Sequence, residues 1–161
     1  MYDVCVRLLH QRGVELRDIA ECSVMLQKQY FPDLLIDDVI EDVKQVLCKR
    51  EVQHAVITGI NLDIMADKGC LESKELEDIL LKDYSLYGVD EVLAYGICNI
   101  YGSIALTNYG YIDRVKPGII GLLNENNGKQ CNTFLDDIVG AIAASAASRI
   151  AHSKEKGDCC E

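Results

Sequence analysis

Apolar residues recur at intervals of three and four along much of the chain, which is the spacing of an amphipathic α-helix. The clearest example is residues 36–47, where the apolar positions face away from a strongly charged side. Looser versions of this pattern cover residues 15–29, 52–68 and 74–82. Pro32, the polar residues 49–51 and Gly69 separate these segments. Such short connections predict helices that pack as antiparallel neighbours.

The stretch from Asp90 to Thr107 is more apolar and contains β-branched residues. Its periodicity alone does not exclude strands within residues 95–106, but its length favours one buried helix. Gly96 and Gly102 are spaced to let a neighbouring helix approach closely. Pro117 is then expected in the first turn of another helix, which ends at residues 126–128 with the sequence Asn-Asn-Gly.

The last helix is predicted from Phe134 to about His152, followed by a polar, frayed tail over residues 153–161. Gly140, Ala144 and Ser148 recur every four residues and predict a tight helix contact, either within the subunit or between subunits. The chain is therefore predicted to be an all-α protein. We expect residues 1–161 to form a single-domain helical bundle of about seven to nine helices.

The charge of the chain restricts its partners. Asp and Glu total 26 against 16 Lys and Arg, which gives a net charge of −10. This charge repels DNA and anionic membrane surfaces as a whole, so nucleic acid is excluded as a partner. Clustered carboxylates also favour binding of a hard cation.

The N-terminus lacks the apolar run of a signal peptide, so the chain is expected in the cytoplasm with its eight cysteines reduced. Single cysteines such as Cys22, Cys48, Cys70, Cys98 and Cys131 are expected to be small buried hydrophobic residues, and Cys159 and Cys160 lie in the polar tail. The longest apolar run, residues 138–147, is too short to cross a membrane.

Acidic residues occur at three places in the C-terminal half, each at or just before an apolar helix. They are Asp90 and Glu91, then Asp113, then Asp136 and Asp137. If these places converge, up to five carboxylates share one pocket, and like charges tolerate such proximity only around a cation. Oxygen ligands alone favour Mg²⁺ or Mn²⁺ over zinc.

Each acidic place also has a purely structural explanation. Thr133 and Asp136 have the spacing of a capping box, and acidic residues in a first helical turn interact favourably with the helix dipole. Asp90 suits an N-cap, and Asp113 suits a turn before Pro117. Asp137 is the hardest to explain in this way, because apolar residues follow it directly.

Lys116 precedes Pro117 at the expected start of a helix, where free amides and a positive charge suit a phosphate group. A solvated lysine before an ordinary helix is the alternative explanation. His54 is a weaker candidate, since a lone histidine on a helix is more often structural. The sequence has no phosphatase loop with a catalytic cysteine, no Asp-x-Asp nucleophile motif after a strand and no Walker loop. A metal-activated water is then the simplest mechanism, with an aspartyl nucleophile left open.

Three strings in this order carry a family resemblance: Val89-Asp-Glu-Val, Asp113-Arg-Val-Lys-Pro-Gly-Ile-Ile and Phe134-Leu-Asp-Asp-Ile-Val-Gly-Ala. Together they resemble the phosphatidylglycerophosphatase A family. From Gly13 to His152 the chain is similar to the soluble Firmicute-type branch of this family, whose members are sometimes named low-temperature-requirement C proteins.

The resemblance implies a phosphoric monoester hydrolase that uses Mg²⁺, or Mn²⁺, to convert phosphatidylglycerophosphate to phosphatidylglycerol. By position, Asp90, Glu91, Asp113, Asp136 and Asp137 are the implied metal ligands, with Asp137, Asp113 and Lys116 as the catalytic residues. The membrane branch has hydrophobic spans that are absent here. The substrate is therefore expected to be a phosphorylated lipid headgroup, reached by peripheral contact at the inner membrane face, or a small phosphomonoester.

Two other functions stay open from the sequence. The first is a non-catalytic, metal-binding helical protein with a regulatory or stress-related role, which would bind Mg²⁺ without hydrolysing any phosphomonoester. The second is a nucleotide-cleaving enzyme, since paired acids on helices also suit pyrophosphate hydrolysis. The absence of Trp and the presence of only two Phe weakly disfavour a base-binding pocket. A homo-oligomer is expected in each case.

Overall fold

The computed structural model describes residues 1–125 and 130–158, with side chains up to residue 153. These residues form nine α-helices and no strand, which confirms the all-α prediction. The helices are α1 (Tyr2–Gln11), α2 (Leu16–Gln27), α3 (Ile36–Leu47), α4 (Arg50–Asp67), α5 (Lys74–Leu81), α6 (Val89–Asn99), α7 (Ser103–Val115), α8 (Ile119–Asn124) and α9 (Leu135–Asp158). No helix among them is both long and apolar enough to cross a bilayer.

Helix α9 is the centre of the bundle, and α2, α3, α6 and α7 pack around it. Its small residues make this possible, because they let the surrounding helices approach closely. A Cβ added at Gly140 would lie 3.5 Å from Cε2 of Tyr109 and 3.6 Å from Cγ2 of Ile112, both on α7. The small-residue face therefore serves contacts inside the subunit, the alternative that the sequence left undecided.

Asp63 of α4 caps the start of this central helix. Its carboxylate accepts hydrogen bonds from the backbone N–H groups of Phe134, at 3.1 Å, and Leu135, at 3.0 Å. The hydroxyl of Thr133 instead donates to the carbonyl of Leu80 at 2.7 Å. A residue distant in sequence thus replaces the capping box that Thr133 and Asp136 suggested, and Asp136 is left for another contact.

Residues 90–107 form two helices, so the prediction of a single buried helix is wrong. The chain breaks between α6 and α7 at residues 100–102, where Gly102 has a φ of +79°. The exposed apolar side chains of Val92 and Tyr95 make α6 look buried from its sequence alone. No atom from another element lies within 4 Å of a Cβ added at Gly96 or Gly102, so neither glycine serves a close helix contact.

Pro117 does not lie in a first helical turn, because α8 begins at Ile119 after Gly118. Lys116 ends α7 in the left-handed conformation, with a φ of +47°, and this turn separates the two helices. The predicted helix end at Asn126, Asn127 and Gly128, and the pair Cys159 and Cys160, lie outside the described residues.

Two further features differ from the sequence-based expectations. Helix α1 has no counterpart among the predicted segments, although its buried residues Cys5, Leu8 and Leu9 follow the three-four spacing. Cys22, Cys98 and Cys131 are buried as expected, but Cys48 and Cys70 are exposed. All the described cysteines are free thiols.

Candidate metal centre

The three acidic places meet at one end of the bundle, where α6 begins, α7 ends and α9 begins. Carboxylate oxygens of Asp90, Glu91 and Asp137 all lie within 4.8 Å of one another. The ammonium of Lys116 also lies 3.7 Å from Oδ1 of Asp137. Asp137 therefore joins an all-carboxylate group to a lysine-centred group.

Lys116 forms ion pairs with the two remaining acids, Asp113 and Asp136. Its Nζ lies 2.8 Å from Oδ1 of Asp113 and 2.9 Å from Oδ2 of Asp136. The left-handed backbone of Lys116 turns the chain away from α7 directly after the last helical turn, which carries Asp113. The predicted set of five acids thus divides into Asp90, Glu91 and Asp137 on one side and Asp113 and Asp136 around the lysine.

Local structure explains why acids tolerate these positions. Asp90 and Glu91 are in the first turn of α6, and Asp136 and Asp137 are in the first turn of α9. The positive end of the helix dipole stabilises negative charge there. In addition, a carboxylate oxygen of Asp90 accepts the backbone N–H of Glu91 at 3.0 Å.

Burial of these carboxylates destabilises the folded protein when no cation is bound. Asp90, Asp136 and Asp137 are only 5–7% exposed. In the described part of the chain, no lysine or arginine lies within ion-pair distance of Asp90 or Glu91, and the buried Oε2 of Glu91 has no hydrogen-bond partner. Buried carboxylates without a counter-charge either take up protons or bind a cation.

The pKa values of the cluster show the effect of burial and of the neighbouring charges. Burial, with the adjacent charge of Asp136 adding to it and Lys116 opposing it, raises the pKa of Asp137 to about 8. Burial and the neighbouring Glu91 raise the pKa of Asp90 to about 7. Burial lowers the pKa of Lys116, but the charges of Asp136, Asp113 and Asp137 outweigh it and raise the pKa overall. The lysine therefore stays charged, while Asp90 and Asp137 hold protons near neutral pH that a cation can displace.

The donor set fits a hard divalent cation. Asp90, Glu91 and Asp137 offer only oxygen ligands at mutual distances that one ion can bridge, and Oε2 of Glu91 has no hydrogen-bond partner. Mg²⁺ and Mn²⁺ prefer oxygen ligands, whereas zinc sites are commonly built with imidazole or thiolate. No histidine or cysteine belongs to this group of described residues.

Two residues that sequence reasoning did not select also lie at the cluster. Asp83, in the turn after α5, interacts with Lys116 and Glu91, and its negative charge raises the pKa of Asp136. Tyr109 is buried, and burial together with the charges of Asp137 and Asp113 raises the pKa of its hydroxyl. Tyr109 precedes Asp113 by one helical turn, and this spacing indicates that the two side chains lie on the same face of α7. The position of Asp83 in the sequence gives no comparable indication that it lies near the cluster.

His54 lies elsewhere. Its exposed side chain lines a groove between α4 and α6, and it is not part of the carboxylate cluster. A separate cavity of about 140 Å³ adjoins the cluster and is lined by Asp83, Thr133 and Asp136, among others. Liquid water occupies about 30 Å³ per molecule, so this space is large enough for a group of phosphate size.

Comparisons with known proteins identify the family of this chain. The family model of phosphatidylglycerophosphatase A matches residues 19–152. The uncharacterized protein YutG of Bacillus subtilis strain 168 is 58% identical over 144 residues, which cover 89% of this chain and 86% of that protein. The chain also matches the crystal structure of the low temperature requirement C protein from Listeria monocytogenes, with a TM-score of 0.92 and 56% identity over 96% of each chain.

A structure of a protein of unknown function from Bacillus stearothermophilus is similar as well, with a TM-score of 0.91 and 53% identity over 95% of this chain and 94% of that one. The family match contains all three acidic places and Lys116. The chain thus belongs to the phosphatidylglycerophosphatase A family, and its relatives include the low temperature requirement C protein.

Proposed function

We propose that this protein is a Mg²⁺-dependent phosphatase that hydrolyses the phosphate monoester of phosphatidylglycerophosphate. The observation that carries the proposal is the position of Asp137, whose carboxylate lies within 4.8 Å of those of Asp90 and Glu91 and 3.7 Å from the ammonium of Lys116. Family membership supports the same chemistry. A metal-dependent phosphatase needs a cation site and a positive group for the phosphate close together, and the carboxylates and the ammonium of Lys116 are suited to these two roles.

Asp90, Glu91 and Asp137 are the residues that would hold the metal. When bound, Mg²⁺ polarises a phosphoryl oxygen and lowers the pKa of a coordinated water. Mn²⁺ has similar ligand preferences and is expected to substitute. Asp136 and Asp113 complete the acidic surroundings and keep the ammonium of Lys116 in place through contacts of 2.9 and 2.8 Å.

Lys116 is the group that binds the transferred phosphate. Its ammonium is partly accessible, with a side-chain exposure of 27%, and it stays protonated because the surrounding carboxylates raise its pKa. Asp113 is the most exposed of its acid partners, at 36%. We assign Asp113 the proton transfer: its carboxylate would accept a proton from the attacking water and would pass it to the leaving alkoxide oxygen, since solvent reaches it more readily than the carboxylates of Asp136 and Asp137.

The experiment measures phosphate release from phosphatidylglycerophosphate in detergent micelles, with Mg²⁺ and with EDTA. Release is expected with Mg²⁺ or Mn²⁺ and not with EDTA. The Asp137→Asn variant is expected to lose about 100-fold or more in kcat, because it removes the carboxylate shared by both halves of the site. Asp37→Asn is the matched control, since Asp37 is an exposed first-turn aspartate of α3.

Full activity in Asp137→Asn would remove this residue from the mechanism. Mg²⁺ binding by calorimetry without hydrolysis of any phosphomonoester would instead support the non-catalytic, metal-binding function. Release of pyrophosphate from nucleoside triphosphates would support nucleotide cleavage.

A further inference from the structure

A cavity separate from the metal centre lies between α2 and α7. Both helices pack against α9, and the space between them has a volume of about 330 Å³. Gln27, the last residue of α2, lines it together with Ile104 and Asn108 of α7. Ala151 of α9 also lines it, and this small side chain occupies little of the space. Cavities that bind small molecules commonly have volumes of about 300 Å³ or more.

Two amide side chains at this cavity lack hydrogen-bond partners. Gln27 is only 3% exposed, yet its side-chain amide forms no hydrogen bond with the described residues. The buried Nδ2 of Asn108 has no partner among them either. Other buried amides are paired, since Nε2 of Gln53 and Nδ2 of Asn132 donate to backbone carbonyls at 2.8 and 3.0 Å. Because buried polar groups are normally hydrogen-bonded, the two unpaired amides indicate that a polar molecule occupies the cavity.

Two aromatic side chains border the same cavity. The backbone carbonyl of Gln27 accepts the N–H groups of Tyr30 and Phe31, each at 2.9 Å, and both residues line the cavity directly after this turn. Tyr30 is 66% exposed, so most of its surface is free to contact a ligand. Aromatic rings beside amide groups suit a flat molecule that stacks on a ring and forms hydrogen bonds along its edge.

The lining of the cavity carries no formal charge. Among the described residues that form it, none is Lys, Arg, His, Asp or Glu. A charged group in this space would lose water without gaining a counter-charge. The bound part of the ligand is therefore neutral, which separates this cavity chemically from the carboxylates and Lys116 of the metal centre.

We infer that this cavity binds the base of a nucleoside or nucleotide. A nucleobase is neutral and planar, and its edge carries both hydrogen-bond donors and acceptors. The amides of Gln27 and Asn108 suit such an edge, since glutamine and asparagine pair with adenine through two hydrogen bonds at once. The base stacks on Tyr30 or Phe31, and its sugar extends to solvent past the exposed Tyr30. This second site does not depend on the proposed phosphatase activity.

The test is calorimetry of the full-length protein in EDTA with adenosine, guanosine, cytidine and uridine. These ligands carry no phosphate and EDTA removes divalent metal, so neither hydrolysis nor the metal centre contributes to the heat. We expect adenosine to bind with a dissociation constant below about 1 mM. Ribose is the control ligand and should not bind, because it lacks the planar base.

Tyr30→Ala tests the stacking contact. Tyr30 is exposed, so the variant is expected to fold, and the loss of stacking should weaken adenosine binding about fivefold or more. Tyr111→Ala is the matched control, because Tyr111 is an exposed tyrosine of α7 that does not line the cavity. This control should bind adenosine as the wild type does.

Gln27→Met tests the amide contact. Methionine has a similar length but cannot pair with a base, so adenosine binding should again weaken about fivefold or more. The amide of Gln27 has no partner in the described part of the protein, so the melting temperature should not fall. Gln53→Met is the comparison, since it removes a buried amide that donates to a carbonyl at 2.8 Å and should lower the melting temperature.

Two results would overturn the base site. One is the absence of binding heat for all four nucleosides, which would mean that water alone fills the cavity. The other is adenosine binding of equal strength in the wild type, Tyr30→Ala and Gln27→Met, which would locate the bound nucleoside elsewhere on the protein. Binding of any of the four nucleosides that both variants weaken would support the site.

A second copy of the chain is the competing occupant, because Tyr30 is exposed at the mouth of the cavity. Analytical ultracentrifugation of the wild type and Tyr30→Ala tests it. A dimer that Tyr30→Ala converts to monomer, without nucleoside binding by the wild type, would show a subunit interface and would overturn the inference. An unchanged oligomeric state, with weaker adenosine binding in Tyr30→Ala, would support it.

Discussion

The ammonium of Lys116 lies 2.9 Å from Oδ2 of Asp136, although the two residues are twenty positions apart and belong to different helical segments. This ion pair connects the end of α7 to the first turn of α9. It also places a positive charge beside Asp137, at 3.7 Å. The lysine therefore provides a permanent counter-charge for one half of an acidic cluster whose other half lacks one.

Lys116→Met is expected to destabilise the metal-free protein. The substitution leaves the buried carboxylate of Asp136 without its cation, and such a change costs several kcal/mol when both partners are fully buried. Because Lys116 is 27% exposed, we expect a smaller loss of about 1–3 kcal/mol in the free energy of unfolding. Urea unfolding in EDTA measures this loss.

Lys44→Met is the control for this measurement. Lys44 pairs with the exposed carboxylate of Glu41 on the surface of α3, and such pairs contribute little. An equal loss of stability in both variants would contradict a special role of Lys116 at the cluster. Phosphate release should also be lost in Lys116→Met and retained in Lys44→Met.

Binding of Mg²⁺ is expected to strengthen as the pH rises from 6 to 8. Asp90 and Asp137, with pKa values raised to about 7 and about 8, hold protons at pH 6 that the metal must displace. The affinity should increase by up to about tenfold per pH unit for each proton released. Calorimetry in buffers of different ionisation enthalpy counts these protons, and a pH-independent affinity without proton release would contradict the assignment.

The metal-free protein should lose stability over the same range. Asp137 and Asp90 bind protons more tightly in the folded state, with pKa values near 8 and 7, than in the unfolded chain, where aspartate titrates near 4. Their contribution is therefore fully present below about pH 4 and is lost as the pH rises through about 7 to 8. Urea unfolding in EDTA at pH 5 and pH 8 should show the decrease.

Asp137→Asn should flatten this pH dependence, because the amide does not titrate. Asp37→Asn, on the exposed surface of α3, should leave it as in the wild type. An identical slope in Asp137→Asn and the wild type would mean that other groups cause the pH dependence.

Asp63→Ala is expected to destabilise the fold by about 1–3 kcal/mol, because it removes the acceptor of two N–H groups at the buried start of α9. It should also weaken Mg²⁺ binding, since Asp136 and Asp137 lie in the helical turn that Asp63 holds in place. Thermal unfolding and calorimetry measure the two effects. Asn61→Ala, at an exposed position of the same helix, is the control and should change neither property. Unchanged Mg²⁺ binding in Asp63→Ala would limit Asp63 to a role in stability.

The sequence by itself determined the helical class and the residues that carry charge at the site. In residues 36–47, charged and apolar side chains lie on opposite helix faces so regularly that the predicted bounds agree with those of α3. Local patterns predict Asp90, Asp113, Asp137 and Lys116 as candidate site residues. Such patterns are local because the helical repeat is 3.6 residues, so a short segment carries enough information to define them.

Only the tertiary structure decided which of these charges meet. Asp137 lies near both the carboxylates of α6 and the lysine that ends α7, because α9 packs at the centre of the bundle. No local sequence pattern specifies that α9 occupies this central position. The capping of α9 by Asp63 and the approach of Asp83 to the site likewise depend on chain segments distant in sequence. The exposed valines of α6 suggested a buried helix, because sequence composition does not distinguish a residue in the core from one that lines an open apolar groove.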